Sequence, residues 1–192
     1  MQLLEKLQKL KGEEFEKREN INFSGIDNIV IYSDMGKINL LQAKLAKPMV
    51  YCFGYRPRTT TFELKISKRD EKTMSISVLG DGNLEGAEVN LTVLIPEHKF
   101  KCIEVSGIKT EININSDVET EKLIIQTEEG DVEALSNQVN NLDINIQKKG
   151  DIYLHLNEDV TDSMEAFTEK GEIEIHFFNE EEGRNIKLVH KK

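Results

Sequence analysis

The chain is poor in cysteine, proline, aromatic residues and basic charge, and it has no long apolar run. Each scarcity excludes something. A membrane-spanning helix needs roughly 18–20 consecutive apolar residues, and none occurs. The N-terminus has neither an apolar core nor a small-residue cleavage site of the secretory type. That gives an expectation of a cytoplasmic protein, unless a signal was removed or comes from an alternative start. Two cysteines, Cys52 and Cys102, suit a reduced compartment; one disulfide or two buried thiols both remain open. With three prolines and no Ser/Gly-rich stretch, nothing marks a long linker, so the two halves are expected to share one core. Lysine and arginine number 25 against 35 acids, for a formal net charge of −10. A nucleic-acid backbone or an anionic bilayer calls for a basic footprint, so neither is expected as the main partner. Divalent cations, a basic partner or simple solubility all fit.

Catalytic fingerprints are missing as well. No G-x-S-x-G, H-E-x-x-H, P-loop or dinucleotide motif appears. Asp151, Glu174 and His176 could be drawn into an acid–base site, but any acidic surface of this kind offers similar groups. The expectation is no enzyme activity and no cofactor.

What is present falls into two patterns. In residues 1–19, Leu3, Leu7 and Leu10 recur at helical spacing with Lys and Glu between them, which predicts a short amphipathic helix. Gly12 weakens its continuation, though Glu13 to Glu16 could extend it. Its apolar stripe must be buried on the body, on a second copy or on a partner. From Ile21 onward the period is two. Ile29 and Ile31, then Ile38 and Leu40, Phe62 to Ile66, Met74 to Val78, and Val89 to Ile95 alternate with polar neighbours, which predicts half-buried strands. Gly80-Asp81-Gly82-Asn83 predicts a turn between two of them.

The C-terminal half repeats itself. Glu128-Glu129-Gly130-Asp131-Val132, Lys148-Lys149-Gly150-Asp151-Ile152 and Glu169-Lys170-Gly171-Glu172-Ile173 share one device: two charged residues, glycine, an acid, a β-branched residue. The glycines are 20 and 21 residues apart. The flanks align too, with Val132/Ile152/Ile173 and Ala134/Leu154/Ile175 at equivalent inward positions; before the glycine, the middle repeat is one residue out of step. A corner glycine relieves backbone strain, and stacking coils in register buries a continuous apolar column with strands about 4.8 Å apart. The predicted fold is all-β: a single-stranded β-helix or β-solenoid with coils of about 20 residues, carrying the short N-terminal helix. It divides into 1–19 (helix) and 20–192 (body), the body into 20–96, a glycine–acid repeat half at 97–178 and a terminal strand within 179–192. The competing architecture is an antiparallel sandwich in which each glycine–acid segment is a hairpin turn.

Val93-Leu94-Ile95-Pro96, the segment Ile125 to Val132, and the opening Phe23-Ser24-Gly25-Ile26-Asp27-Asn28-Ile29 together resemble the bacterial putative-adhesin family of β-helical domains, also called DUF4097. The resemblance covers about residues 20–178. It implies a β-helix-like body and an adhesive or cell-envelope role, and it supplies no catalytic residues. Family members often carry an export signal or membrane anchor, and neither is visible in this sequence.

Register also brings candidate sites together. His155 and His176 each lie five residues after a repeat glycine and should face outward roughly 5 Å apart, where two imidazoles could share a transition-metal ion; the plainer reading is two exposed histidines. Asp131, Asp151 and Glu172 share the position after the glycine. They could bridge calcium, or simply form turns beside Lys148, Lys149 and Lys170. Tyr51, Phe53, Tyr55, Arg56 and Arg58 form the densest aromatic and basic segment, suited to a glycan or protein ligand, or else to capping the core. The leading functional expectation is a non-catalytic, adhesin-like binding module. The alternative is a cytoplasmic scaffold or regulator that self-associates, or holds a partner, through residues 1–19.

Overall fold

The computed structural model describes residues 12–43, 47–115, 118–156, 163–177 and 186–190. These are all-β, with no helix among the described residues. Thirteen strands join in one open sheet that does not close into a barrel. Its pairings form two parallel ladders, because three long strands turn a corner and contribute to both.

The first ladder runs through β5 (Thr73–Gly82), the start of β2 (Asn28–Ala43), the start of β7 (Phe100–Ile114), β8 (Glu119–Glu129), the end of β9 (Val132–Lys149), β11 (Ser163–Thr168) and β13 (Ile186–His190). The second runs through β6 (Glu88–Pro96), the end of β2, the end of β7, the start of β9, β10 (Ile152–Leu156) and β12 (Ile173–Phe177). Antiparallel strands border both at the N-terminal side. β4 (Thr60–Lys68) pairs with β5, while β3 (Met49–Arg56) pairs with β6 and β1 (Glu13–Asn20) with β3.

The repeat positions sit where the spacing puts them. Val132, Ile152 and Ile173 are direct partners, as are Ala134, Leu154 and Ile175. Both pairings are parallel, so the glycine–acid segments are not hairpin turns. The out-of-step middle repeat is absorbed by a bulge: Thr127 pairs with Ile146, but Glu129 pairs with Lys149. Inward side chains of both ladders, from Ile29 and Ile31 through Ile103, Ile125 and Ile144 to Leu154, form one cluster. Full burial of each such side chain stabilises the fold by about 1.5–3 kcal/mol. Because β2 pairs with β7 from Asn28↔Cys102 to Leu40↔Ile114, the two halves of the chain share that core. Cys52 is buried and Cys102 half-buried, and the two are free thiols rather than a disulfide. Burial pushes the Cys52 thiol up to about 11.

The corners explain the glycines. A Cβ on Gly130 would lie 2.3 Å from the Thr110 carbonyl oxygen, one on Gly150 would lie 2.1 Å from that of Gly130, and one on Gly171 would lie 2.0 Å from that of Gly150. Each corner's carbonyl therefore occupies the space of the side chain missing from the next corner. The Gly130 amide donates to the Lys149 carbonyl at 2.9 Å, and the Gly150 amide to that of Lys170 at 3.0 Å. Buried threonines serve the same corners: the Thr168 hydroxyl donates to the Gly150 carbonyl at 2.8 Å, and that of Thr127 to the Thr110 carbonyl at 3.2 Å. A buried carbonyl left without a donor is costly, so a hydroxyl at these inward positions is worth more than a methyl.

Two expectations are corrected. Residues 1–11 of the predicted helix lie outside the described residues, but Glu13–Asn20 is strand. The eight-residue antiparallel register with β3 supplies its backbone partners, and Phe15 stacks on Phe62 with centroids 5.3 Å apart. Tertiary pairing here overrides local helix preference. Gly80 and Gly82 are not in a turn but in β5, opposite Phe62 and Thr60; the turn falls at Glu85–Gly86. Gly82 has φ +94° and a Cβ there would lie 2.2 Å from the Thr59 carbonyl oxygen, so glycine serves close strand approach.

Asp27 secures the segment that opens the body. Its carboxylate meets Lys101 at 3.0 Å and Lys72 at 3.4 Å, and its carbonyl accepts from the Lys101 amide at 2.8 Å. The Lys101 hydrogen bond is the main cause holding its acid below the ordinary carboxylate range.

Two outcomes follow from this architecture. Gly150→Ala should lower unfolding free energy in urea by about 1–3 kcal/mol, the range for overpacking, while Lys149→Ala should stay within about 0.5 kcal/mol. A depressed folded-state acid contributes stability that is complete above its unfolded value and is lost as pH falls through the folded one. The gap in urea midpoint between wild type and Asp27→Asn should therefore be widest near neutrality and should close as the pH drops below the ordinary carboxylate range.

Candidate functional site

Alternation places every second side chain of the second ladder outward, and the register strings these into rows. One row reads Arg18, Tyr51, Thr92, Asn39, Asn113, Glu133, Tyr153, Glu174 across the strands from β1 to β12. A second reads Glu16, Phe53, Asn90, Lys37, Glu111. The face is aromatic at both ends and polar between them.

At the C-terminal end, His155 and His176 are direct partners with ring centroids 4.8 Å apart, and Leu135 is the partner of His155 on β9. The His155 Nε2 lies 2.6 Å from the Tyr153 hydroxyl, and the His176 Nε2 lies 2.6 Å from Glu174 Oε1. Each imidazole is thus engaged by a neighbour two residues away on its own strand. Among the described residues, no group of three or more His, Cys, Asp or Glu side chains converges as metal ligands would.

The corner acids have a structural occupation. Asp131 Oδ1 accepts the Asp151 amide at 2.8 Å, and Asp151 Oδ1 accepts the Glu172 amide at 2.8 Å. Each carboxylate caps the backbone at the following corner. Beside them Lys148 Nζ pairs with Glu128 Oε2 at 2.6 Å, one corner to the next.

At the N-terminal end, the aromatic and basic segment is split between two faces. Tyr51, Phe53 and Tyr55 point outward. Arg56 has the opposite parity and pairs with Glu13, and Arg58 sits in the turn after β3. The core at this end is closed instead by Phe15 on Phe62 and by Phe23 edge-on to Phe100 at 6.1 Å. Tyr51 and Phe53 stack with centroids 4.9 Å apart. They floor a groove of about 580 Å³ whose lining includes Tyr55 and three carboxylate side chains, those of Glu14, Glu16 and Glu88. Phe53 is 37% exposed and, with Ile108, makes up the exposed large hydrophobics among the described residues. Burial first, and then the Glu16 charge and hydrogen bond, raise the Tyr51 phenol above its ordinary value, with Arg18 opposing. The Tyr55 hydroxyl accepts the Gly12 amide at 2.6 Å.

The three glutamates were not among the residues singled out from sequence. They come from β1 and β6, which flank β3 in space but not in the chain. Alternation of Glu14, Glu16 and Arg18 against Phe15 was the available signal, hidden under a helical reading of that segment.

No family model matches the chain, and no curated protein sequence matches it. Solved structures do. A putative cell adhesion protein from Clostridium sporogenes superposes with TM-score 0.51 at 12% identity, over 94% of this chain and 100% of that one. Putative adhesins from Parabacteroides distasonis and Bacteroides fragilis each give TM-score 0.40, at 9% and 14% identity, over 95% and 92% of this chain and 98% and 97% of theirs. The clostridial likeness is one of fold, and it runs almost end to end.

Asp151→Ala should lower unfolding free energy by about 1 kcal/mol, the worth of one hydrogen bond, while Asp151→Asn, which keeps an acceptor, should retain most of it. Urea denaturation of both variants is the measurement.

Proposed function

We propose that this chain is a non-catalytic binding module of the adhesin type, and that its ligand site is the groove floored by Tyr51 and Phe53. One observation carries the reading: a stacked aromatic pair, Phe53 exposed and Tyr51 half-buried, lies on an otherwise polar outer face, at a groove large enough for a side chain or a sugar ring. Buried aromatics close the core elsewhere, so packing does not account for this pair. Aromatic anchors in grooves supply much of the energy of recognition surfaces.

The two ladders are read as successive turns of a β-solenoid with about 20 residues per coil, supported by the 20- and 21-residue spacing of the corner glycines. A solenoid presents a long rigid face whose side chains repeat every 4.8 Å or so, which suits a module that holds extended ligands. A cell-envelope setting goes with this reading; the adhesion names of the bacterial structures are consistent with it.

The test is direct. On arrays of immobilised peptides and glycans, the purified chain should give specific signals that Phe53→Ala and Tyr51→Ala each reduce about tenfold, as expected for truncating an interface anchor. Both variants should keep the wild-type circular dichroism spectrum. Signals that survive both substitutions would place the ligand site elsewhere.

A further inference from the structure

We infer that the ligand of this groove is a basic peptide segment, carrying lysine or arginine at alternate positions. The inference rests on the reading of the groove as a binding site and adds the chemistry of the occupant. It starts from the charges around the aromatic floor. Glu14 and Glu16 point outward from β1, and Glu88 from β6, on either side of Phe53 and Tyr55 on β3. None of the three takes part in an ion pair among the described residues.

The nearby cations are engaged or turned away. Arg56 faces the other side and pairs with Glu13. Lys17 also faces away and donates to the Phe62 carbonyl at 3.4 Å. Lys37, next to Asn90 in the outer row, pairs with Glu111 at 2.7 Å. Arg18 also shares the face with Glu16, and its nitrogen lies 3.5 Å from the Met49 sulfur. Three carboxylates against one guanidinium leave the groove negative, inside a chain of net charge −10. An acidic or sulfated glycan would be repelled.

Aromatic floor and acidic walls together select a cation. An ammonium or guanidinium over a ring face gains from the ring quadrupole, and flanking carboxylates add charge-assisted hydrogen bonds. The spacing points to a chain with several cations rather than to one small ammonium. Glu14 and Glu16 are two residues apart on a strand, about 7 Å, and Glu88 lies two strands from them, about 10 Å. An extended peptide repeats its side chains on one face with the same period of about 7 Å. Alternate lysines along such a peptide can therefore meet Glu14 and Glu16 in turn while one reaches across Phe53 toward Glu88.

The experiment uses the full chain, fluorescence anisotropy and three probes: a labelled Lys-Gly-Lys-Gly-Lys peptide, the same peptide acetylated on every lysine, and a labelled neutral tetrasaccharide. The basic peptide should bind, and acetylation should weaken it by at least about tenfold. Phe53→Ala should cost about three- to tenfold, the scale of a lost cation–π contact. The double variant Glu16→Gln with Glu88→Gln should cost at least that much. The double variant Glu71→Gln with Glu121→Gln, which removes equal charge at exposed positions outside both rows, should cost less than about twofold, because exposed charges beyond a Debye length are screened. Equal losses in the two double variants, or an indifferent Phe53→Ala, would mean that bulk acidity binds the peptide, and the inference fails. If the tetrasaccharide binds in a Phe53-dependent way and the peptide does not, the basic ligand is wrong and the groove stands. If no probe responds to Phe53→Ala, both fail.

Discussion

The structure depends on how closely one strand corner can approach the next. At Gly130, Gly150 and Gly171 the carbonyl oxygen of the preceding turn sits about where a side chain would begin. Any Cβ there would force the corners apart, and the parallel ladders on both sides would lose their spacing. With glycine in place, the amide that follows the corner acid reaches the next corner's carbonyl: Val132 to Asp151 at 2.9 Å and Ile152 to Glu172 at 2.8 Å. The corner acid then caps the next backbone. One small residue thus sets the register for the apolar column inside and for the rows of polar side chains outside.

The outward rows form the face proposed as the binding surface. A rigid ladder holds side chains from strands distant in sequence at fixed separations, with little entropy left to lose on binding. The groove at the N-terminal end shows this most clearly. Its aromatic floor comes from β3, and its acidic walls come from β1 and β6. Arg56, which a reading of the segment as a unit would add to the site, is committed to Glu13 on the opposite face. The site's charge is therefore the reverse of what the local run of arginines suggests.

Much of the architecture was legible in the amino-acid order, because repeats make long-range contacts local. The glycine spacing placed Val132, Ile152 and Ile173 in one column and put His155 beside His176, and the pairings agree. The N-terminal side was less legible, since its strands do not repeat. Glu13–Asn20 carries one apolar residue on its inward side, Phe15, and takes its backbone partners from Arg56 to Met49, far along the chain. The alternation of Glu14, Glu16 and Arg18 around that one apolar residue is all that locally sets the strand apart from a helix extension. The aromatic face was half legible: alternation alone separates Tyr51, Phe53 and Tyr55 from Arg56, but the glutamates that complete the groove required the fold.

Native-state hydrogen exchange tests the central claim, that the corners lock the ladders, most directly. The amides of Val132 and Ile152, just past the corners, are expected to exchange only through global unfolding, at the same free energy as Ile125 and Ile144 in the core. Exchange of those two amides at the rate of an exposed loop, with the core still protected, would show that the corners do not hold the ladders in register.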